Sequence, residues 1–116
     1  MLIDRLLTLQ AVLTGSVSTT QLDVHVVYRD WTPEGEPAPP YFERTSTNNA
    51  TAVTILTSPV LNPQREVASL TIYNADVSTQ IVTVKTVSAT VSTIAVKQTL
   101  LPGETLGYKE LGWYVI

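Results

Sequence analysis

Apolar and polar side chains alternate along most of this chain, and that alternation predicts strands. The clearest stretch is residues 22–29, where Leu22, Val24, Val26 and Tyr28 alternate with Asp23, His25, Val27 and Arg29. A period of two places the first set on one face of a pleated strand. Residues 6–14, LLTLQAVLT, fit two templates. Leu2, Leu6, Leu9 and Leu13 match a helical face, whereas Leu7, Leu9, Ala11 and Leu13 alternate with Thr8, Gln10, Val12 and Thr14. The strand pattern that follows favours the second template, after a short irregular or helical N-terminal segment over residues 1–6. Residues 15–21 then read as a hairpin connection.

Residues 30–49, DWTPEGEPAPPYFERTSTNN, break the alternation and hold four of the seven prolines. Proline has no N–H to give to a ladder, so the segment predicts an extended loop or arm and excludes a central strand. A structureless segment of about 20 residues usually binds something or stays mobile, which makes this arm the first candidate contact element.

Beyond the arm, strands are predicted over residues 52–57, 67–74, 80–87 and 91–100, with turns at Ser58-Pro59, 62–64 and 74–76. Ala68, Leu70 and Ile72 share one face, Val82 and Val84 another, and Ile94, Val96 and Leu100 point inward in the fourth. LeuProGlyGlu at 101–104 matches a type II turn, with proline presetting φ at the second position and glycine tolerating positive φ at the third. It is expected to send Leu106 and Tyr108 back along the preceding strand. A turn over 110–112 and a last strand over 113–116 complete the series. Seven or eight strands with short turns predict one all-β domain over residues 1–116, an antiparallel β-sandwich or jelly-roll-like fold with a long Pro-rich loop.

Composition narrows the functional classes. A chain of 116 residues forms one core. Only 15% of it is charged, against roughly 25% in average globular usage, so serine and threonine must keep its surface wet. A net charge of −3 without a lysine or arginine cluster argues against nucleic acid as a partner. With no cysteine, disulfides, thiolate metal sites and thiol nucleophiles are excluded together. The apolar start, MLIDRLLTLQAVL, carries Asp4 and Arg5, is too short to span a bilayer and lacks a basic leader, so neither signal peptide nor membrane partner is predicted.

Catalytic templates lack parts. His25 has no second histidine at ligand spacing and reads as a surface residue, with a ligand or pH-sensitive contact as the alternative. The ten acidic residues are scattered and read as solvated. Asn74 and Asp76 form an Asn-x-Asp turn whose side chains bond their own backbone, the alternative being a calcium site. Asn49-Ala50-Thr51 is a formal glycosylation triplet that reads as chance. No catalytic, cofactor-binding or metal-ligating residue is therefore nominated, and no cofactor is expected.

Aromatic residues supply the candidate contacts. Trp31, Tyr41 and Phe42 lie in or beside the arm with Pro39 and Pro40. Rigid rings of this kind serve protein interfaces and sugar-binding surfaces, or simply pack the arm back on its own domain. Trp113, Tyr114 and Ile116 belong to a terminal apolar strand whose edge invites either cover from the fold or a partner subunit.

Four stretches carry a family resemblance: VVYRDW at 26–31, TSTNNATAVTILTSP at 45–59, REVASLTIYNAD at 65–76 and LLPGETLGYKELGWYVI at 100–116. In these the chain resembles small β-sandwich virion structural proteins of tailed bacteriophages, although residues 32–44, with their extra prolines, depart from the family pattern. The resemblance implies a non-enzymatic subunit, assembled in the host bacterial cytoplasm and resident in the virion. The leading expectation is a capsid decoration or cement protein that binds the major capsid protein, associates as a homo-oligomer with a trimer favoured, and clamps its neighbours through the N-terminal segment and the arm. A tail or head-tail connector component, or a carbohydrate-binding module exposing Trp31, Tyr41 and Phe42, are the alternatives.

Overall fold

Period-two alternation appears directly in burial. Strand β2 (Thr8–Leu13) buries Leu9, Ala11 and Leu13, and β3 (Asp23–Trp31) buries Val24, Val26 and Tyr28, while the residues between them stay half-exposed. The computed structural model describes residues 1–110 and 112–116. The remaining strands are β1 (Leu2–Asp4), β4 (Tyr41–Ser46), β5 (Val53–Leu56), β6 (Gln64–Tyr73), β7 (Gln80–Val87), β8 (Ser92–Leu100), β9 (Thr105–Lys109) and β10 (Gly112–Val115). Ten strands among the described residues exceed the seven or eight expected, because β1 and β4 lie in segments read as irregular.

The strands form two antiparallel sheets. The larger has the order β10-β9-β6-β3-β4, with β1 also paired to β6; the smaller has the order β5-β2-β7-β8. Their facing sides enclose one apolar core that includes Leu9, Ile55, Leu70, Ile72, Val84, Leu100 and Leu106. The fold is an antiparallel β-sandwich, as predicted.

Several sequence expectations are corrected. Residues 15–21 are not a hairpin connection, since β2 and β3 belong to different sheets and the segment crosses between them. The same holds for residues 101–104. Gly103 has φ +85° and Glu104 N donates to Leu101 O at 3.0 Å, as a type II turn requires, yet β9 pairs with β6 and β10 and not with β8. The arm is shorter than 30–49: Tyr41–Ser46 is an edge strand on β3, leaving 32–40 as the excursion. That excursion is bonded back to itself and to β3, with Thr32 N donating to Glu36 O at 2.8 Å and Ala38 N to Asp30 O at 2.7 Å. The N-terminal segment is also engaged by its own sheet, where Val67 N donates to Met1 O and the Met1 amine to the Tyr108 Oη, both at 2.8 Å. The turn expected over 110–112 includes Leu111, which lies outside the described residues.

Two bulges change which side chains face the core. Pairing of β3 with β6 skips Ala68, so Val67 is buried in its place beside Leu70 and Ile72. Pairing of β7 with β8 skips Ala95, so Ile94 faces solvent at 62% exposure and Val96 takes the inner side. An inserted residue reverses the parity of the strand on one side of it, which a regular period cannot anticipate.

A polar clamp closes one end of the core. Arg65 on β6 holds Asp30 on β3 through Nε–Oδ1 at 2.7 Å and Nη2–Oδ2 at 3.2 Å. The same guanidinium donates from Nη1 to Thr57 O at 2.9 Å and lies 4.5 Å from the Tyr28 ring centroid. The Arg65 hydrogen bond holds the Asp30 carboxyl below its ordinary value against partial burial. Lysine supplies one point charge and no planar fork, so Arg65→Lys is expected to lower stability by about 1 kcal/mol. Thermal melting tests this; an unchanged midpoint counts against the clamp.

Candidate interaction surface

The outward face of the six-stranded sheet gathers much of what the sequence nominated. On β3 the outward residues are Asp23, His25, Val27, Arg29 and Trp31, and β4 contributes Phe42 and Arg44 opposite Val27 and His25. Across β6 and β9 the face carries the small groups Ser69, Thr71 and Gly107 together with the charged Glu66 and Lys109. Tyr114 on β10 pairs with Gly107, and Ile116, bonded reciprocally to Thr105 at 2.9 Å, continues the strand. Phe42, Tyr73, Tyr114 and Ile116 are all exposed, at 58, 45, 40 and 76%. Phe42 and Tyr114 sit on opposite edge strands, four strand spacings or roughly 19 Å apart. The outward face of the smaller sheet carries Gln10, Thr83, Lys85, Lys97 and Thr99 beside Val12 and Ile81.

The other nominated residues, apart from Trp31, lie elsewhere. Tyr41 turns to the inner side of the same edge, where it stacks on Tyr28 with centroids 5.8 Å apart. Trp113 is half-buried against Tyr108 on the inner side of β10, centroids 5.0 Å apart. Trp31 donates its indole N–H to Glu66 Oε2 at 3.3 Å. Pro39 and Pro40 are exposed in the loop before β4. Packing back on the domain therefore accounts for Trp31, whereas Tyr41, although stacked on Tyr28, and Phe42 both stay exposed, at 57 and 58%.

The polar groups on this face bond one another. Arg44 grips Asp23 through Nε–Oδ1 at 3.1 Å and Nη2–Oδ2 at 3.2 Å, and His25 Nε2 lies 3.0 Å from Asp23 Oδ2. The Arg44 hydrogen bond holds the Asp23 carboxyl below its ordinary value, outweighing burial, with His25 adding to it. The His25 ring meets Phe42 edge-on at 5.3 Å. This is a cross-strand charge pair capped by an aromatic. Among the described residues no group of three or more metal-ligating side chains converges.

Two features were not read from the sequence. Leu6, Val60 and Leu61 protrude at 81–82% exposure at one end of the sandwich, held there by Arg5, whose Nη2 donates to Leu61 O at 3.2 Å and Nε to Asn62 O at 3.3 Å. The run Pro59-Val60-Leu61-Asn62-Pro63, apolar residues between two prolines, is the signal that marks such a tip. The second is a carboxylate box. Asp76, 2% exposed, accepts from the backbone N–H of Ser18, Thr19 and Thr20 at 2.9, 2.7 and 3.1 Å, from Gln80 Nε2 at 2.9 Å, from the Thr19 hydroxyl at 3.1 Å and from the Ser78 hydroxyl. Asn74 Oδ1 accepts from Asp76 N at 3.0 Å, as an Asn-x-Asp turn requires, while its amide donates to Ser78 O and Leu100 O. The box fastens the β2–β3 crossover to the β6–β7 crossover and satisfies its carboxylate with protein donors.

Comparison with protein-family models, curated proteins and solved structures finds no match for this chain.

Proposed function

We propose that this chain is a non-enzymatic virion structural subunit of a tailed bacteriophage, most specifically a capsid decoration or cement protein that docks on the major capsid lattice. The observation that carries the reading is the outward face of the larger sheet, where Phe42, Tyr73, Tyr114 and Ile116 stand exposed around a floor of serine, threonine and glycine. Exposed aromatics around a flat centre whose Asp23 and Arg44 charges pair with each other suit a protein neighbour, because rings add contact area at small entropic cost. Lattice binding needs no strong single site, since repeated modest contacts multiply through avidity. The loop over 32–40 adjoins the Phe42 edge of this face and extends the same docking side; the N-terminal segment, paired to β6, contributes through exposed Leu2 and Leu6. Homo-oligomers, with a trimer favoured, belong to this proposal.

Cryo-microscopy of purified virions tests it. The expected result is density for this fold at repeated positions on the capsid shell, with the Phe42–Tyr114 face against the lattice. Phe42→Glu is expected to leave the melting temperature unchanged, as befits an exposed edge residue, and to reduce the occupancy of the protein on particles about tenfold or more. Density confined to the tail or neck moves the subunit to the connector alternative, and absence from particles removes the proposal. Oligosaccharide binding by a monomer with no affinity for capsids supports the glycan module instead.

A further inference from the structure

Charge is divided unevenly between the two sheets. The four strands of the smaller sheet carry Lys85 and Lys97 and no acidic residue, in a chain whose acids outnumber its lysines and arginines by ten to seven. Both lysines lie on the outward face. Lys97 stands opposite Thr83 and Lys85 opposite Ile94, which makes the two diagonal neighbours on β7 and β8, about 8 Å apart. Among the described residues neither is within salt-bridge distance of a carboxylate. Val12, Ile81 and Ile94 share the face with them, Ile94 at 62% exposure.

The opposite charge is gathered at the tip of the arm. Glu34 and Glu36 are both exposed there, and no basic residue lies between Asp30 and Glu43. The tip is a closed turn. Gly35 N donates to Thr32 O at 2.9 Å, Thr32 N to Glu36 O at 2.8 Å and Glu36 N to Thr32 Oγ1 at 3.1 Å, while Gly35 takes φ +83°. Pro33 and Pro37 stiffen it on either side, so the two carboxylates are presented together and little freedom is lost when they bind.

We propose that Glu34 and Glu36 at the arm tip of one copy bind Lys85 and Lys97 on the smaller sheet of the next, so that copies join head to tail. Charge complementarity selects a second copy as the occupant: each patch carries two like charges, the signs are opposite, and apolar groups flank both, Pro33 and Pro37 on one side and Val12, Ile81 and Ile94 on the other. The arm is bonded to β3 of its own larger sheet, and the lysines face away from that sheet, so the contact lies between copies. Two lysines are too few to hold a phosphate backbone. An interface of two unlike patches is heterologous, the kind that closes into rings or runs on into filaments. The inference rests on the homo-oligomer part of the reading above and supplies its interface; it uses the arm tip alone and leaves Phe42, Pro39 and Pro40 to the docking side.

Sedimentation of the purified chain, without particles, tests it. Wild type is expected to associate as its concentration is raised to about 1 mM. Association should weaken about tenfold between about 0.1 M and about 1 M salt, where the screening length falls from about 10 Å to about 3 Å. Lys85→Glu with Lys97→Glu, and separately Glu34→Lys with Glu36→Lys, are each expected to weaken it about tenfold or more. Melting curves check that both reversed proteins fold, and the arm reversal, confined to an exposed turn, tests the contact by itself. Mixing the two reversed proteins is expected to restore association, because each arm then meets a face of opposite charge. The proposal is overturned if wild type stays monomeric throughout, if either folded reversal associates as wild type does, or if the mixture stays dissociated. Capsid docking is read separately, from the occupancy of Phe42→Glu on particles, so either idea can fail without the other.

Discussion

Gly107→Val is expected to push the Tyr114 ring off the larger sheet and to lower stability by about 1 kcal/mol, the lower part of the range for overpacking. Gly107 is buried because the Tyr114 ring lies across it from the neighbouring strand, the two residues being direct cross-strand partners. A Cβ at position 107 sits 2.6 Å from both Cε2 and Oη of that ring, well inside van der Waals contact. The ring must swing into solvent or the strand must move. The atoms that the added Cβ meets are the far end of a side chain that is 40% exposed, so the ring swings into solvent while β10 keeps its pairing with β9. Urea unfolding should show the loss, and near-ultraviolet circular dichroism should show a changed tyrosine signal before global unfolding. Tyr114→Ala in the same chain makes room for the valine, so the double variant should recover part of the loss, a coupling that independent sites do not show. Additive effects would defeat the account of this pair.

The strands were legible in the sequence because alternation is a local signal, and β2, β3 and β7 follow it without interruption. Sheet membership was not, since a period of two states which side chains share a face and not which sheet a strand joins. Residues 15–21 and 101–104 were therefore read as returns along the same sheet when both cross the sandwich. Ala68 and Ala95 carry no feature that marks them as bulge residues, and each reverses the parity of the strand around it. β4 was hidden by the prolines just before it, although an edge is where a strand following such a segment belongs. The candidate surface was half legible. Aromatic type nominated Tyr41, Phe42, Trp113 and Tyr114 alike, and register alone puts Phe42 and Tyr114 on the outward face and Tyr41 and Trp113 on the inner side, where Tyr41 still stays exposed at the edge. Both side chains of the 74–76 turn were read as bonding their own backbone, and Asn74 does so. The Asp76 carboxylate instead takes its backbone donors from 56 to 58 residues away, beyond any local pattern.

Those distant partners make Asp76 the polar residue whose loss should matter most. Asp76→Ala leaves the N–H groups of Ser18, Thr19 and Thr20 without their acceptor and frees the β2–β3 crossover from the β6–β7 crossover. Hydrogen bonds to a charged acceptor are the stronger kind, and losing several of them is expected to lower the melting midpoint by roughly 10 °C for a chain of this size. Asp76→Asn should rescue little, because its amide group presents donors to a shell that is already all donors. Burial alone would raise the Asp76 carboxyl, but the hydrogen bonds from Ser78 and from the Ser18, Thr19 and Thr20 N–H groups outweigh it and hold the group far below its ordinary value. A carboxyl depressed in the folded state stabilises the fold fully above the unfolded value near 4, and that contribution drains away as pH falls below it. Wild type and Asp76→Ala should therefore differ most near neutrality and converge as the pH is lowered from about 4 toward 2. Asp23 and Asp30 are depressed as well, so the variant retains some acid sensitivity of its own. Urea midpoints measured for both proteins across that range decide the matter: curves that stay parallel to the lowest pH would mean that the box does not hold its carboxylate charged.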